Sequence, residues 1–175
     1  MGSINNPKDF ETKGGLNAIE VFEKISKKYS NLELVIRSKV PNEIRTRIES
    51  NSKIILMEKE ISYEDVINLY ASSSIFLCPA HTYVGLMALL ESMSFKLPIV
   101  ALDTYAANDY IKNGYNGFLI PKSKNISGYY TEDYPTNMRS KNFLSEIKNV
   151  DWDVIKKLVE KMEVLINDAK LRKKM

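Results

Sequence analysis

Residues 74–120 read SIFLCPAHTYVGLMALLESMSFKLPIVALDTYAANDYIKNGYNGFLI, and they hold three short apolar runs separated by helical patterning. Ser74–Cys78 is an apolar run closed by Pro79, as a buried strand would be. Leu86, Leu89, Leu90 and Met93 repeat at three and four residues, which predicts one face of a helix. Pro98–Leu102 and Gly117–Ile120 are the second and third strands. Strands alternating with helices at this spacing require a parallel sheet covered on both faces. Ligands of such sheets bind beyond the carboxyl ends of the strands.

The rest of the chain extends the pattern. Leu16, Ala18, Ile19, Phe22, Ile25 and Tyr29 form the buried face of a helix opened by residues 8–15 (KDFETKGG). Leu32–Ile36 and Lys53–Met57 are strands, with a short helix over Asn42–Ser50 between them. Ser62 and Asp65 have the spacing of a helix cap ahead of Val66, Leu69 and Tyr70. Asp151–Lys174 is read as one long helix, with Trp152, Ile155, Leu158, Val159, Met162, Leu165 and Ile166 on its buried stripe. Residues 121–149 break the rhythm. They are polar, contain Tyr129, Tyr130 and Tyr134, and read as an insertion in a single domain spanning residues 1–175.

Composition narrows the function classes. With 25 basic against 22 acidic residues the surplus is only +3, and Lys and Glu are interspersed. That argues against nucleic acid, whose binders concentrate basic charge on one side. No segment has the length or apolarity of a signal peptide or a membrane span, so the expectation is a cytoplasmic protein touching membranes peripherally if at all. Cys78 is the only cysteine, which leaves no internal disulfide and no thiolate metal cluster, and its place at a strand end suits a small packed residue.

Pro79, Leu90–Ser94 (LESMS), Leu97–Ala101 (LPIVA) and Gly114–Ile120 (GYNGFLI) stand in one order over some forty residues. This set resembles the donor-binding, C-terminal half of the retaining, nucleotide-sugar-dependent GT-B glycosyltransferases, the glycosyl transferases group one. The resemblance implies a doubly wound, Rossmann-like parallel sheet with a C-terminal helix, forming one GT-B half-domain. It implies a hexosyltransferase-type enzyme that moves a sugar from a nucleoside-diphosphate sugar to an acceptor with retention, and that needs neither cofactor nor metal. Glu91 matches the family glutamate that holds the nucleotide ribose. Lys13-Gly14 matches the lysine-glycine pair at the donor diphosphate, and Lys8 stands near the position of the family arginine. A lysine beside glycines at a helix start also directs a cation and backbone N–H groups toward one anion. The backbone over Val84–Leu86 would complete the phosphate site, so Tyr83, Val84, Gly85 and Leu86 join the substrate-binding set, with Lys13 and Glu91 in the catalytic role.

The departures are chemical. The first of the family's two glutamates, eight residues before Glu91, is replaced by Tyr83, or by His81 if the loop is displaced. The Gly-aromatic-Gly motif is reduced to Tyr83-Val84-Gly85. The single histidine, His81, suits three roles: proton carrier, loop support or phosphate ligand. Asp109, where the family has a glutamate, reads as a favourable charge at the next helix start. The family also has an apolar strand in mid-sheet just ahead of Lys8, and MGSINNP offers only Ile4 to build it. The chain is therefore expected to be the C-terminal half of a longer enzyme, without its N-terminal acceptor domain and inactive alone. A binding or structural module that has lost transfer is the alternative, and a doubly wound sheet with an unrelated phosphoryl ligand is a third reading.

Overall fold

A computed structural model describes residues 7–82, 86–104, 106–130 and 140–175. Its elements alternate as the sequence predicts: α1 (Pro7–Thr12), α2 (Gly15–Ile25), β1 (Leu34–Arg37), α3 (Asn42–Glu49), β2 (Ile54–Met57), α4 (Tyr63–Ser72), β3 (Phe76–Cys78), α5 (Leu86–Ser94), β4 (Ile99–Leu102), α6 (Ala107–Tyr110), β5 (Gly117–Ile120), α7 (Lys141–Glu146), α8 (Trp152–Asn167) and α9 (Ala169–Lys174).

All described strand pairs are parallel. β3, β4 and β5 form one ladder, with Leu77 opposite Val100 and Val100 opposite Phe118. Alternate residues go to opposite faces, as strand geometry dictates. Leu77, Val100, Leu102, Phe118 and Ile120 join the main core with Ile19, Phe22, Ile155, Leu158 and Leu165 of α2 and α8. Phe76, Cys78, Ile99, Ala101 and Leu119 meet Leu89, Met93, Ile111 and Tyr110 on the other face. The sheet is thus covered on both sides, with the α8 helix on the α2 side.

Among the described residues β1 pairs with β2 alone, so the strands form two ladders rather than one continuous sheet. Between β1 and β3 lies a cavity of about 600 Å³, lined by Leu34 and Val35 on one edge, Ile75 and Leu77 on the other, and Phe22, Ile25 and Met162 behind. Residues 1–6, where the family resemblance places a mid-sheet strand, lie outside the described residues.

Four sequence expectations are corrected. The helix read as opening at residues 8–15 is two helices, broken at Lys13–Gly14, and Phe10 of the first is wholly buried against the second. The long C-terminal helix breaks at Asp168, whose carboxylate accepts the Leu171 N–H at 2.8 Å and so caps α9. Trp152 is not on the buried stripe: it is 57% exposed and carries the Lys24 ammonium 4.9 Å over its ring. Leu90 likewise turns outward from α5, while Leu89 is buried. The Ser62–Asp65 cap is a reciprocal capping box: the Ser62 hydroxyl accepts from Asp65 N–H at 3.0 Å and the Asp65 carboxylate accepts from Ser62 N–H at 3.2 Å.

The segment 121–149 has a small core of its own. Ile126 and Tyr129, flanking or within a single 3-10 turn (Ser127–Tyr130), pack with Phe143 and Ile147 of the α7 region. Ser123 and Asn125 bond to the Asp151 carboxylate at 2.5 and 3.1 Å, tying the segment to the α8 cap. Tyr134 lies outside the described residues.

Candidate functional site

Three turns meet at the carboxyl ends of the strands. The first is the α1–α2 turn. Lys13 N–H donates to Asp9 C=O at 2.9 Å and closes α1. Gly14 then takes φ +73°, a left-handed conformation that glycine adopts without steric cost. A Cβ on Gly14 would stand 1.8 Å from the Pro79 carbonyl oxygen, so the turn rests directly on the chain leaving β3. Two hydrogen bonds fix the contact: Thr12 C=O accepts from His81 N–H at 2.9 Å and from Thr82 N–H at 3.3 Å. The third turn, after β4, is joined by Thr104, whose buried hydroxyl donates to Ala80 C=O at 2.8 Å. The three turns are held together by backbone contacts and one hydroxyl rather than by side-chain charge.

Lys13 is only 9% exposed. Burial holds its ammonium below the usual lysine pKa, opposed by the nearby Asp9 and reinforced by the Arg37 charge. A desolvated cation at a strand end interacts strongly with any anion that reaches it.

Glu91 lies on α5 and is partly buried. Tyr70 Oη, from α4, donates to its Oε2 at 3.0 Å. Tyr70 itself stacks on Phe95 at 5.7 Å between ring centroids and tilts against Phe76. Its hydroxyl pKa is raised by burial and by the Glu91 carboxylate, so the phenol stays protonated and remains the donor. One carboxylate oxygen is thereby oriented, and the other has no hydrogen bond from a described residue.

His81 is buried, and its ring is held at both nitrogens. Asn17 Nδ2 lies 3.2 Å from Nε2 and Tyr129 Oη lies 2.5 Å from Nδ1. With the Asn17 amide donating to Nε2, Nδ1–H donates to Tyr129. Burial brings the imidazole pKa down to about 4, so the ring is neutral at pH 7. Of its three predicted roles the geometry favours loop support: both nitrogens are engaged inside the protein. Lys122 reaches the same place, with its ammonium 3.4 Å from Tyr129 C=O and 5.5 Å from the ring centroid.

The remaining predicted residues are placed less fully. Lys8 is in α1 and Leu86 opens α5, but neither side chain is among those described. Tyr83, Val84 and Gly85 lie outside the described residues. Asp109 sits in the first turn of the four-residue α6, as its charge predicts. Cys78 is a lone thiol pushed up to about 11 by burial, consistent with packing and not with nucleophilic chemistry. Among the described residues no group of three His, Cys, Asp or Glu side chains could hold a metal ion.

Four residues of this region escape sequence reasoning: Tyr70, Asn17, Tyr129 and Arg37. Tyr70 is read there only as part of the helix that Ser62 and Asp65 cap, and its bond to Glu91 spans 21 positions. Arg37, the last residue of β1, has a buried Nε with no hydrogen-bond partner among the described residues.

The glycosyl transferases group 1 profile matches residues 7–129, which include every turn just described. The chain belongs to the glycosyl transferases group 1 family. No curated protein gives a significant match to it. Among solved structures, the C-terminal domain of the glycosyl transferase group 1 family protein LpcC from Francisella tularensis superposes with a TM-score of 0.68 at 21% identity, covering 94% of this chain and 74% of that one. The GtfA/B complex gives 0.66 at 20% identity over 93% of this chain and 28% of that one. The pneumococcal O-GlcNAc transferase GtfA in complex with UDP and GlcNAc gives 0.54 at 18%, over 90% and 34%. This group 1 domain therefore has the Rossmann-like α/β fold of GT-B C-terminal domains, and it spans about a third or less of the other two chains. No helix among its described residues is long and apolar enough to cross a membrane.

Proposed function

We propose that this group 1 domain binds the nucleoside-diphosphate sugar of a retaining glycosyltransferase, and that transfer takes place against a separate acceptor-binding domain. The observation that carries the reading is the junction of the α1–α2 turn with the β3 exit. It sets the buried Lys13 at the strand ends, and Glu91, bonded by Tyr70, lies on the helix that follows the same β3 exit. Lys13 supplies positive charge for the diphosphate, and Glu91, oriented by Tyr70, accepts from ribose hydroxyls. In transfer, the bond from the anomeric carbon to the diphosphate oxygen breaks and negative charge gathers on the leaving phosphate. A desolvated ammonium stabilises that charge more than it stabilises the bound donor. Lys8 and the backbone of Val84–Leu86 are proposed as further diphosphate contacts, with metal and cofactor unnecessary.

Replacement of the family's first glutamate by Tyr83 favours a second reading, in which the domain binds donor without transferring it. Titration calorimetry with uridine, adenosine and guanosine diphosphates and their sugars tests donor binding. Saturable binding of at least one diphosphate is expected, and its absence across the panel would sink both readings. A radiolabelled-donor assay of the chain with acceptor mixtures separates them further. Binding without transfer is expected for the isolated domain, because closing a two-domain cleft supplies proximity worth ~7–11 kcal/mol of the barrier.

A further inference from the structure

We infer that Arg37 is a second phosphate-binding cation of this site, taking the diphosphate together with Lys13. The inference rests on the donor-binding reading above, but the family resemblance does not supply it: the cations carried over from the family are at Lys8 and Lys13.

The case begins with where Arg37 sits. It closes β1, and the chain on either side of it is fixed. Arg37 is in register with Met57 of β2, Ser38 N–H donates to Met57 C=O at 3.1 Å, and Val40 N–H donates to the Glu58 carboxylate at 3.2 Å. Its backbone is thus anchored at the carboxyl end of a parallel strand, the end where such sheets take ligands.

The second point is an omission peculiar to this arginine. Arg45 is paired with both oxygens of Glu58. Arg47 bridges Glu20 and Glu23 at 2.6 Å each. Arg172 donates to the Leu165 and Ile166 carbonyls. Arg37 alone among the described arginines has no such partner, and its Nε is buried with none. An unsatisfied buried donor on a charged group is costly, more so than on a neutral one. Folded proteins keep such groups at places where something else completes them.

The third point is the company Arg37 keeps. Its charge is felt by Lys13 and by Tyr70, the residue that holds Glu91. The Asp9 carboxylate near Lys13 offsets part of that charge, and a bound anion would offset more of it. A guanidinium with its planar fork of N–H donors matches phosphate oxygens bidentately, where an ammonium acts as a point charge. One arginine and one lysine suit two linked phosphates better than one. The competing account is that Arg37 is a packing residue that contributes only its apolar stem. Methionine would preserve that role.

The test is titration calorimetry and thermal denaturation of the whole 175-residue chain, with inorganic pyrophosphate, uridine diphosphate and uridine as probes. Arg37→Met is expected to weaken both diphosphate probes roughly ten- to a hundredfold. Uridine affinity should be nearly unchanged, and the ligand-free melting temperature equal to or above that of the parent. Arg37→Lys should recover part of the loss. Diphosphate affinity within twofold of the parent in Arg37→Met, alongside a clear loss in Lys13→Ala, overturns the role of Arg37 and leaves the donor-site reading standing. A parent chain that binds neither diphosphate overturns that reading itself and this inference with it. If Arg37→Met does not fold, Arg37→Gln and Arg37→Lys decide, and parental affinity in both overturns the assignment.

Discussion

Tyr70 Oη donates to Glu91 Oε2 at 3.0 Å, linking α4 to α5 across the outer face of the sheet. The bond sets the carboxylate before any ligand arrives. Glu91→Ala is expected to weaken nucleoside-diphosphate binding by ~1.5–3 kcal/mol, the range for a hydrogen bond to a charged group. Tyr70→Phe keeps the ring stacked on Phe95 and removes only the hydroxyl, so its effect should be smaller and of the same sign. Calorimetry on the two single variants and the double variant checks this. If the carboxylate acts as placed by Tyr70, the losses will be less than additive. Unchanged affinity in Glu91→Ala removes Glu91 from the site.

Lys13 gives a prediction that separates phosphate from nucleoside. Lys13→Ala should reduce affinity for a nucleoside diphosphate and leave the free nucleoside nearly unaffected, so the gap between the two narrows. Because the ammonium is largely buried, its contribution should fall less with added salt than that of a surface pair, which is screened over ~8–10 Å. Equal loss of both ligands would point to a disturbed fold.

His81 predicts the acid limb of stability. Its pKa is about 4 in the folded chain against an ordinary value of 6.5. Between those values the unfolded chain binds more protons than the folded one, so stability rises with pH across this window. The contribution is complete above about pH 6.5 and is lost as pH falls toward 4; at ~1.36 kcal/mol per unit it amounts to about 3 kcal/mol. The difference in unfolding free energy between the parent and His81→Gln should therefore change with pH between 4 and 6.5 and be flat above 7. Tyr129→Phe, which strands Nδ1–H without its partner, should cost ~1–3 kcal/mol at pH 7. A pH-independent difference would mean that the imidazole is solvated.

Much of this was legible in the sequence, for identifiable reasons. Gly117–Ile120 is strand β5 to the residue, and Asn42–Ser50 gives α3, because period and length suffice where neighbours are local. Ser62 and Asp65 announced a cap because the whole motif lies within four residues. Lys13-Gly14 stood out through the family resemblance and as a lysine beside glycines, but the break between α1 and α2 at that point was not legible. The failures share one cause: the deciding partner is remote in sequence. Trp152 fits a buried stripe by period but meets Lys24 from α2. Asp168 is the local exception: it looks like a polar position within a helix, but its carboxylate caps the next one through Leu171 N–H. Tyr129 sits in a polar, aperiodic stretch, yet reaches His81 48 residues away. Arg37 resembles any strand-end arginine, and only the absence of a partner among the described residues sets it apart.

Gly14 and Gly114 offer an internally controlled comparison. Both have left-handed backbone, φ +73° and +76°. Alanine at either pays ~1–2 kcal/mol for that conformation. At Gly114 nothing lies within 4 Å of the added Cβ, so the conformational term should be the whole effect. At Gly14 the Cβ would meet the Pro79 carbonyl at 1.8 Å, and because that atom is backbone the turn or the β3 exit must move. Such overpacking adds ~1–3 kcal/mol. Gly14→Ala should therefore destabilise roughly twice as much as Gly114→Ala in urea denaturation. It should also weaken diphosphate binding, because the shift displaces Lys13 and strains the Thr12–His81 hydrogen bond. Gly114→Ala should leave binding intact. Equal destabilisation by the two, with parental diphosphate affinity in both, would show that the α1–α2 turn does not rest on Pro79 and that Lys13 is not positioned by it.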